Sequence, residues 1–170
     1  GGSLGARSIN QALNNGWQRL TDAGLQIIWQ TGKSDTSLTA IPSEKSQCVI
    51  RLPFIQDMSM AYAAADIVVA RAGAMSIAEL QVVGKPAVLV PFPLAAEDHQ
   101  TVNAQQLVNA GAAILVRDAE AGSTLINIVL ELNADKDRCE KMSQQISGMA
   151  IRNADQRVAS SILECLNKSN

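Results

Sequence analysis

Five short runs of aliphatic and β-branched residues, Leu25–Thr31, Cys48–Leu52, Asp66–Ala70, Ala87–Val90 and Ala113–Val116, recur along the chain at intervals of about twenty residues. Helical patterns fill the gaps. Ile9, Leu13, Trp17 and Leu20 form one apolar stripe, which predicts a helix from about Ala6 to Ala23 with Gly24 as its stop. Ser76 to Val83 is closed by Gly84 and Pro86, and Thr101 to Asn109 by Gly111. Near-continuous apolar strands alternating with helices dictate an α/β, Rossmann-like parallel sheet with helices on both faces, because each parallel crossover needs a helix and lays it on a face. From Ser123 the strands cease. Three helical segments, Ser123–Leu132, Lys136–Ile146 and Ala154–Leu166, are expected to form a C-terminal helical tail packed on the sheet. The division is a sheet core over about residues 1–118 and a tail over about 119–170.

Composition removes several function classes. Net charge is −2 with no Lys/Arg cluster, and aromatics are 3%, so both the basic footprint and the stacking platforms of nucleic-acid binding are missing. No apolar run approaches the ~20 residues that a membrane-crossing helix needs. Cys48, Cys139 and Cys165 are odd in number and widely spaced, which suggests neither a disulfide framework nor a zinc site and fits a reducing cytoplasm. No metal or cofactor site is expected. The opening Gly1-Gly2-Ser3-Leu4-Gly5 has no basic, apolar leader and reads as the interior of a longer sequence; loops of this kind normally follow a central strand, so a first strand is expected upstream.

Three loops carry candidate chemistry. Gly1-Gly2-Ser3-Leu4-Gly5-Ala6 runs into a helix, so its amides and the helix's positive end form a phosphate site, although the spacing is not the dinucleotide fingerprint. Arg71-Ala72-Gly73-Ala74-Met75-Ser76-Ile77-Ala78-Glu79 leaves a strand at its C-terminal end, where open α/β sheets bind ligands. There Arg71 can neutralise diphosphate charge and Glu79 can accept two ribose hydroxyls. Alternatively, Ser76 and Glu79 form a capping box and Arg71 is a surface ion-pair partner. The third loop, Pro91 to Asn103, holds His99, the single histidine, beside Glu97, Asp98 and Gln100; a lone histidine at a helix start is more often a surface residue than a catalytic one.

Taken together, Gly-Gly-Ser-x-Gly-Ala, Phe54-Ile55-x-Asp57-Met58, Arg71-x-Gly73-Ala74-x-Ser76-x-x-Glu79 and Pro91-Phe92-Pro93 with Asp98-His99-Gln100-x-x-Asn103-Ala104 resemble, in order and spacing, the C-terminal domain of the MurG family. That family transfers N-acetylglucosamine from UDP-N-acetylglucosamine to a lipid-linked muramoyl-pentapeptide in peptidoglycan synthesis. The resemblance implies the C-terminal, donor-binding half of a GT-B glycosyltransferase. The acceptor site and general base belong to an N-terminal domain absent from this chain, so the chain alone is expected to be inactive. By the same resemblance Gly2, Ser3 and the loop amides meet the diphosphate, Phe54 lies against uracil, the Ile55 backbone reads its edge and Met58 lines that pocket. Ala74 and Met75 supply amides, Ser76 a hydroxyl, Glu79 binds ribose, Arg71 stabilises the leaving diphosphate, and Gln100 binds the sugar. His99 stands where a relative has a glutamine. The implied enzyme is cytoplasmic, in peripheral contact with the inner face of the bacterial plasma membrane. A UDP-N-acetylglucosamine 2-epimerase-like enzyme and a stand-alone donor-binding subunit of a two-chain transferase are the alternatives.

Overall fold

The structure, a computed structural model, describes residues 5–33 and 38–168. In chain order the elements are α1 (Arg7–Asp22), β1 (Ile27–Gln30), β2 (Val49–Leu52), α2 (Met58–Ala64), β3 (Val68–Ala70), α3 (Ala74–Val83), β4 (Ala87–Leu89), α4 (His99–Asn109), β5 (Ala113–Leu115), α5 (Ala121–Ala134), α6 (Lys136–Gly148) and α7 (Ala154–Lys168). Short 3₁₀ turns lie at Ser43–Lys45, Ala96–Asp98 and Asp118–Glu120. All five expected strands form and every pairing is parallel: β1 with β2, and β3–β4–β5 with β4 in the centre. Among the described residues β1 and β3 do not pair, so the sheet falls into two parts.

The central strand shows why its run is continuously apolar. Val88 and Val90 enter one core with Ile9, Trp17 and Leu20 of α1 and Leu125, Val129 and Leu132 of α5. Ala87 and Leu89 enter the other, with Ile77 and Leu80 of α3, Leu107 of α4 and Ile146 of α6. Residues that alternate along one strand thus feed two cores, as a strand buried on both faces must. The β1–β2 pair differs. Ile27, Trp29 and Val49 are buried on the α1/α5 side, whereas Ile28 and Ile50 on the other face are 42% and 52% exposed, because α3, α4 and α6 cover only the three-stranded part.

Three boundaries and one element depart from the sequence reading. α3 starts at Ala74 and α4 at His99, each two residues earlier than periodicity suggests. α2 was not marked by periodicity, because Met-Ser-Met-Ala-Tyr-Ala-Ala offers little contrast between faces. The tail is not one unit: α5 lies against α1 closely enough that a Cβ on Gly16 would meet Ile126 Cγ1 at 2.6 Å, and Leu132, Met142 and Ile146 are core residues. The packed core therefore extends past residue 118. α7, by contrast, leaves Val158, Ile162, Leu163 and Leu166 each more than half exposed.

Candidate functional site

Because all the strands are parallel, their C-terminal ends share one edge of the molecule, and the loops after β2, β3, β4 and β5 gather there with the start of α1. Buried contacts set α1 against that edge. Gly5 has φ +83° and lies so close to β1's end that a Cβ would stand 2.2 Å from the Thr31 carbonyl oxygen. Asn10, 2% exposed, donates from Nδ2 to the same oxygen at 2.8 Å and accepts from Trp29 Nε1 at 2.9 Å. The α1 entrance is thereby fixed over the end of β1.

Helix starts at this edge are either capped by a side chain or left without one, and α4 and α5, whose N-cap residues Asp98 and Glu120 make no side-chain cap bond, are of the second kind along with α1 and α3. α2 is closed by its N-cap: Asp57 Oδ1 accepts from Met60 N at 3.1 Å and from Ser59 Oγ at 2.6 Å. The Ser59 hydroxyl first, then the Met60 amide, hold the exposed Asp57 carboxyl below the usual carboxylate range. α1 and α3 are open. Their N-cap residues, Ala6 and Gly73, provide no capping side chain, and the first intrahelical bonds are Asn10 N to Ala6 O and Ile77 N to Gly73 O. The amides of Arg7, Ser8 and Ile9 and of Ala74, Met75 and Ser76 thus precede each ladder, with the positive ends of two helices behind them. This geometry excludes the capping-box alternative: Ser76 is the third residue inside α3, where it cannot be its N-cap.

Arg71 is neither a surface ion-pair partner nor a loose cation. Its side chain is 14% exposed and pairs with Asp118 Oδ1 at 2.5 Å, donates to the carbonyls of Val90 and Pro91 at 3.0 and 3.1 Å, and reaches Ser8 Oγ at 3.3 Å. Its guanidinium carbon also stands 5.5 Å from the Phe92 ring centre. Ser8 closes the circuit by donating to Asp118 Oδ1 at 2.5 Å. One cation thus ties together the first turn of α1, the end of β4 and the turn after β5.

Gln100 does similar work between the other two loops, its Oε1 accepting from Ala72 N at 3.2 Å and Phe92 N at 3.0 Å, while Asn103 Nδ2 donates to Ala72 O at 3.1 Å. Glu97 and Asp98 precede α4 with φ of 50° and 53°, a left-handed pair of non-glycine residues that turns the chain into the helix. His99 follows, exposed, as the helix's first residue. Phe54 is half-exposed beyond β2, the Ile55 amide donates to Gln30 Oε1 at 2.9 Å, and Met58 packs against the α3/α4 core. Glu79 Oε2 accepts from the Tyr62 hydroxyl at 2.9 Å. Gly2 and Ser3 lie outside the described residues.

Comparison with known proteins then decides the family. The family model described as "Glycosyltransferase family 28 C-terminal domain" matches residues 1–158. The chain belongs to that family. A relative from Cytophaga hutchinsonii, named UDP-N-acetylglucosamine--N-acetylmuramyl-(pentapeptide) pyrophosphoryl-undecaprenol N-acetylglucosamine transferase, is 42% identical over 98% of this chain and 45% of its own length. One of the same name from Chlorobaculum parvum is 49% identical over 84% of the chain and 39% of its own. The crystal structure of Acinetobacter baumannii MurG superposes with a TM-score of 0.81 at 30% identity, over 96% of this chain and 48% of that one. The chain therefore spans about half the length of the relatives it matches.

In this family 28 domain, the expected Arg71 on the loop after β3 lies near the first turns of α3, with Ala74, Met75 and Ser76, and of α4, with Gln100, while Phe54 and Ile55 are on the loop after β2 and Glu79 is on the second turn of α3. Sequence reasoning missed Ser8, Gln30, Tyr62 and Asp118. Asp118 is 47 residues from Arg71 and gives no local signal, but Tyr62 is the chain's single tyrosine, a polar tip in an Ala/Met stretch, and that rarity was there to be read.

Proposed function

We propose that this chain is the donor-binding domain of an inverting N-acetylglucosaminyltransferase that moves the sugar from UDP-N-acetylglucosamine to a lipid-linked muramoyl-pentapeptide. The observation that carries this is that α1 and α3 are entered through glycine, Gly5-Ala6 and Gly73, with no side-chain cap, at the shared C-terminal edge of parallel strands. Two sets of amides with no partner in their own helices, backed by helix dipoles, suit a diphosphate, and the relatives' printed names supply the identity of the sugar and of the acceptor.

As the bond to the anomeric carbon breaks, negative charge collects on the departing UDP, and donors already aimed at that position lower the barrier. In this reading the α1 and α3 amides make the direct contacts, and Arg71 contributes as a positive charge held behind them by Asp118. Phe54 offers a face to the uracil. With the Ile55 amide given to Gln30, it is the Ile55 carbonyl that remains to accept from the base. Glu79 takes the ribose hydroxyls and the Gln100 amide nitrogen the sugar. The reading routes no step through a metal or cofactor. It assigns the acceptor and the general base to a second domain, and the enzyme to the cytoplasmic face of the membrane; among the described residues no helix is long and apolar enough to cross one.

Titration with UDP-N-acetylglucosamine followed by amide NMR tests the donor site. Shifts should concentrate at residues 5–9, 54–58 and 72–79, with smaller ones at 91–100. Saturable shifts confined to the opposite edge, or none, overturn the assignment.

A further inference from the structure

Tyr62 sits on α2 with 8% of its surface exposed, its ring packed in the core that contains Ala72, Ile77 and Leu80. Its hydroxyl emerges from that core to donate to Glu79 Oε2 at 2.9 Å, and Glu79 is exposed. A phenylalanine would fill the same core volume, so packing does not account for the hydroxyl. Nor does Glu79 need a protein donor for its own sake, since water satisfies an exposed carboxylate. What the bond does is remove freedom. Glutamate is among the side chains that lose most rotamer entropy on ordering, and a ligand that needs one orientation binds more tightly when the protein has already set it.

The two helices joined by this bond are the ones that matter for a nucleoside diphosphate. α2 follows the Phe54–Ile55 loop and α3 opens with the Ala74–Ser76 amides, while the covalent order of the ligand places ribose between base and diphosphate. Resting on the donor-site reading above, we propose that Tyr62 is a positioning residue for ribose recognition: its hydroxyl holds one oxygen of Glu79 so that the carboxylate is pre-set to accept from the ribose diol. Burial first, and the Glu79 bond and charge second, push the phenol's pKa up from its ordinary value, so it remains a donor throughout the neutral range.

The test is Tyr62→Phe, which deletes only the hydroxyl, assayed by calorimetric titration with UDP and with 2′,3′-dideoxy-UDP. UDP should bind three- to tenfold more weakly, about the worth of one hydrogen bond. The dideoxy ligand should bind as before, and Tyr62→Phe should add no loss in a Glu79→Ala background. Unchanged UDP affinity, an equal loss for both ligands, or a full loss persisting without Glu79 overturns the proposal and leaves Tyr62 a core residue. Because the chain has one tyrosine, biosynthetic replacement by difluorotyrosine gives a second readout that keeps the fold. As pH is raised until the phenolate's absorbance shows that the more acidic phenol has ionised, UDP affinity should fall more than that of the dideoxy ligand, and an affinity that stays flat through that ionisation contradicts the proposal. Wild-type protein that fails to bind UDP at all overturns the donor-site reading and this inference together. Binding that depends on Glu79 but not on Tyr62 overturns this inference alone.

Discussion

At the scale of single residues, the loop edge at the strands' C-terminal ends is shaped by polar side chains whose partners are fixed. Asn10 is the clearest: deep in the α1/β1 core it satisfies the Trp29 indole and the Thr31 carbonyl at once. Asn10→Leu should cost about 1–3 kcal/mol in chemical denaturation, the cost of stranding a buried donor, while an exposed change such as Gln105→Ala stays within about 0.5 kcal/mol. Tyr62 makes stability depend on alkaline pH. Its folded-state pKa lies above the ordinary 10.0, so its contribution is complete below that value. As pH rises past it, the unfolded chain ionises first and stability is lost. Urea midpoints should therefore drop further between about pH 8 and about pH 10.5 for wild type than for Tyr62→Phe. Equal drops would show that the phenol is not perturbed. These residues were only partly legible in the sequence. Glu79 and Arg71 stand in recognisable loops, but what they bond to is decided by contacts 17 and 47 residues away, and local pattern carries no information about those.

At the scale of elements, apolar periodicity locates the strands and the bodies of the helices, but sets the starts of α3 and α4 two residues late. All five strand runs and the helices of the tail appear where the pattern places them, because burial of one face or two is what the pattern encodes. The helical pattern of α3 reads from Ser76, and the capping-box alternative makes that residue a cap, whereas Gly73 is the N-cap and provides no side-chain bond. That difference is testable. Ser76→Ala inside a helix should leave thermal stability unchanged or raise it by up to about 0.5 kcal/mol, since alanine is the better helix former and no cap is lost; a loss of about 1 kcal/mol would restore the capping box. Burial also separates β2 from α5. Leu125→Ala, at 1% exposure, should cost about 2–5 kcal/mol, and Ile50→Ala, at 52%, less than about 1 kcal/mol.

At the scale of the whole molecule, two cores share one central strand, and the five parallel strands aim every functional loop at one edge. What periodicity could not show was the separation of β1–β2 from β3–β4–β5, because strand order depends on long-range pairing. β4 is bonded on both sides, while among the described residues β1 pairs with β2 alone, the amides of Ile27 and Thr31 donating to the carbonyls of Cys48 and Leu52. Hydrogen exchange should therefore find Val88 among the best-protected amides and Ile28 well below it. The central claim concerns the edge as a nucleotide site, and the most direct measurement is calorimetric titration of wild type and Glu79→Ala with UDP and with 2′,3′-dideoxy-UDP. The account predicts that wild type binds UDP, that Glu79→Ala weakens this roughly ten- to a hundredfold, and that the penalty largely vanishes for the dideoxy ligand. Failure of the wild type to bind UDP, or a penalty of the same size for both ligands, would contradict it.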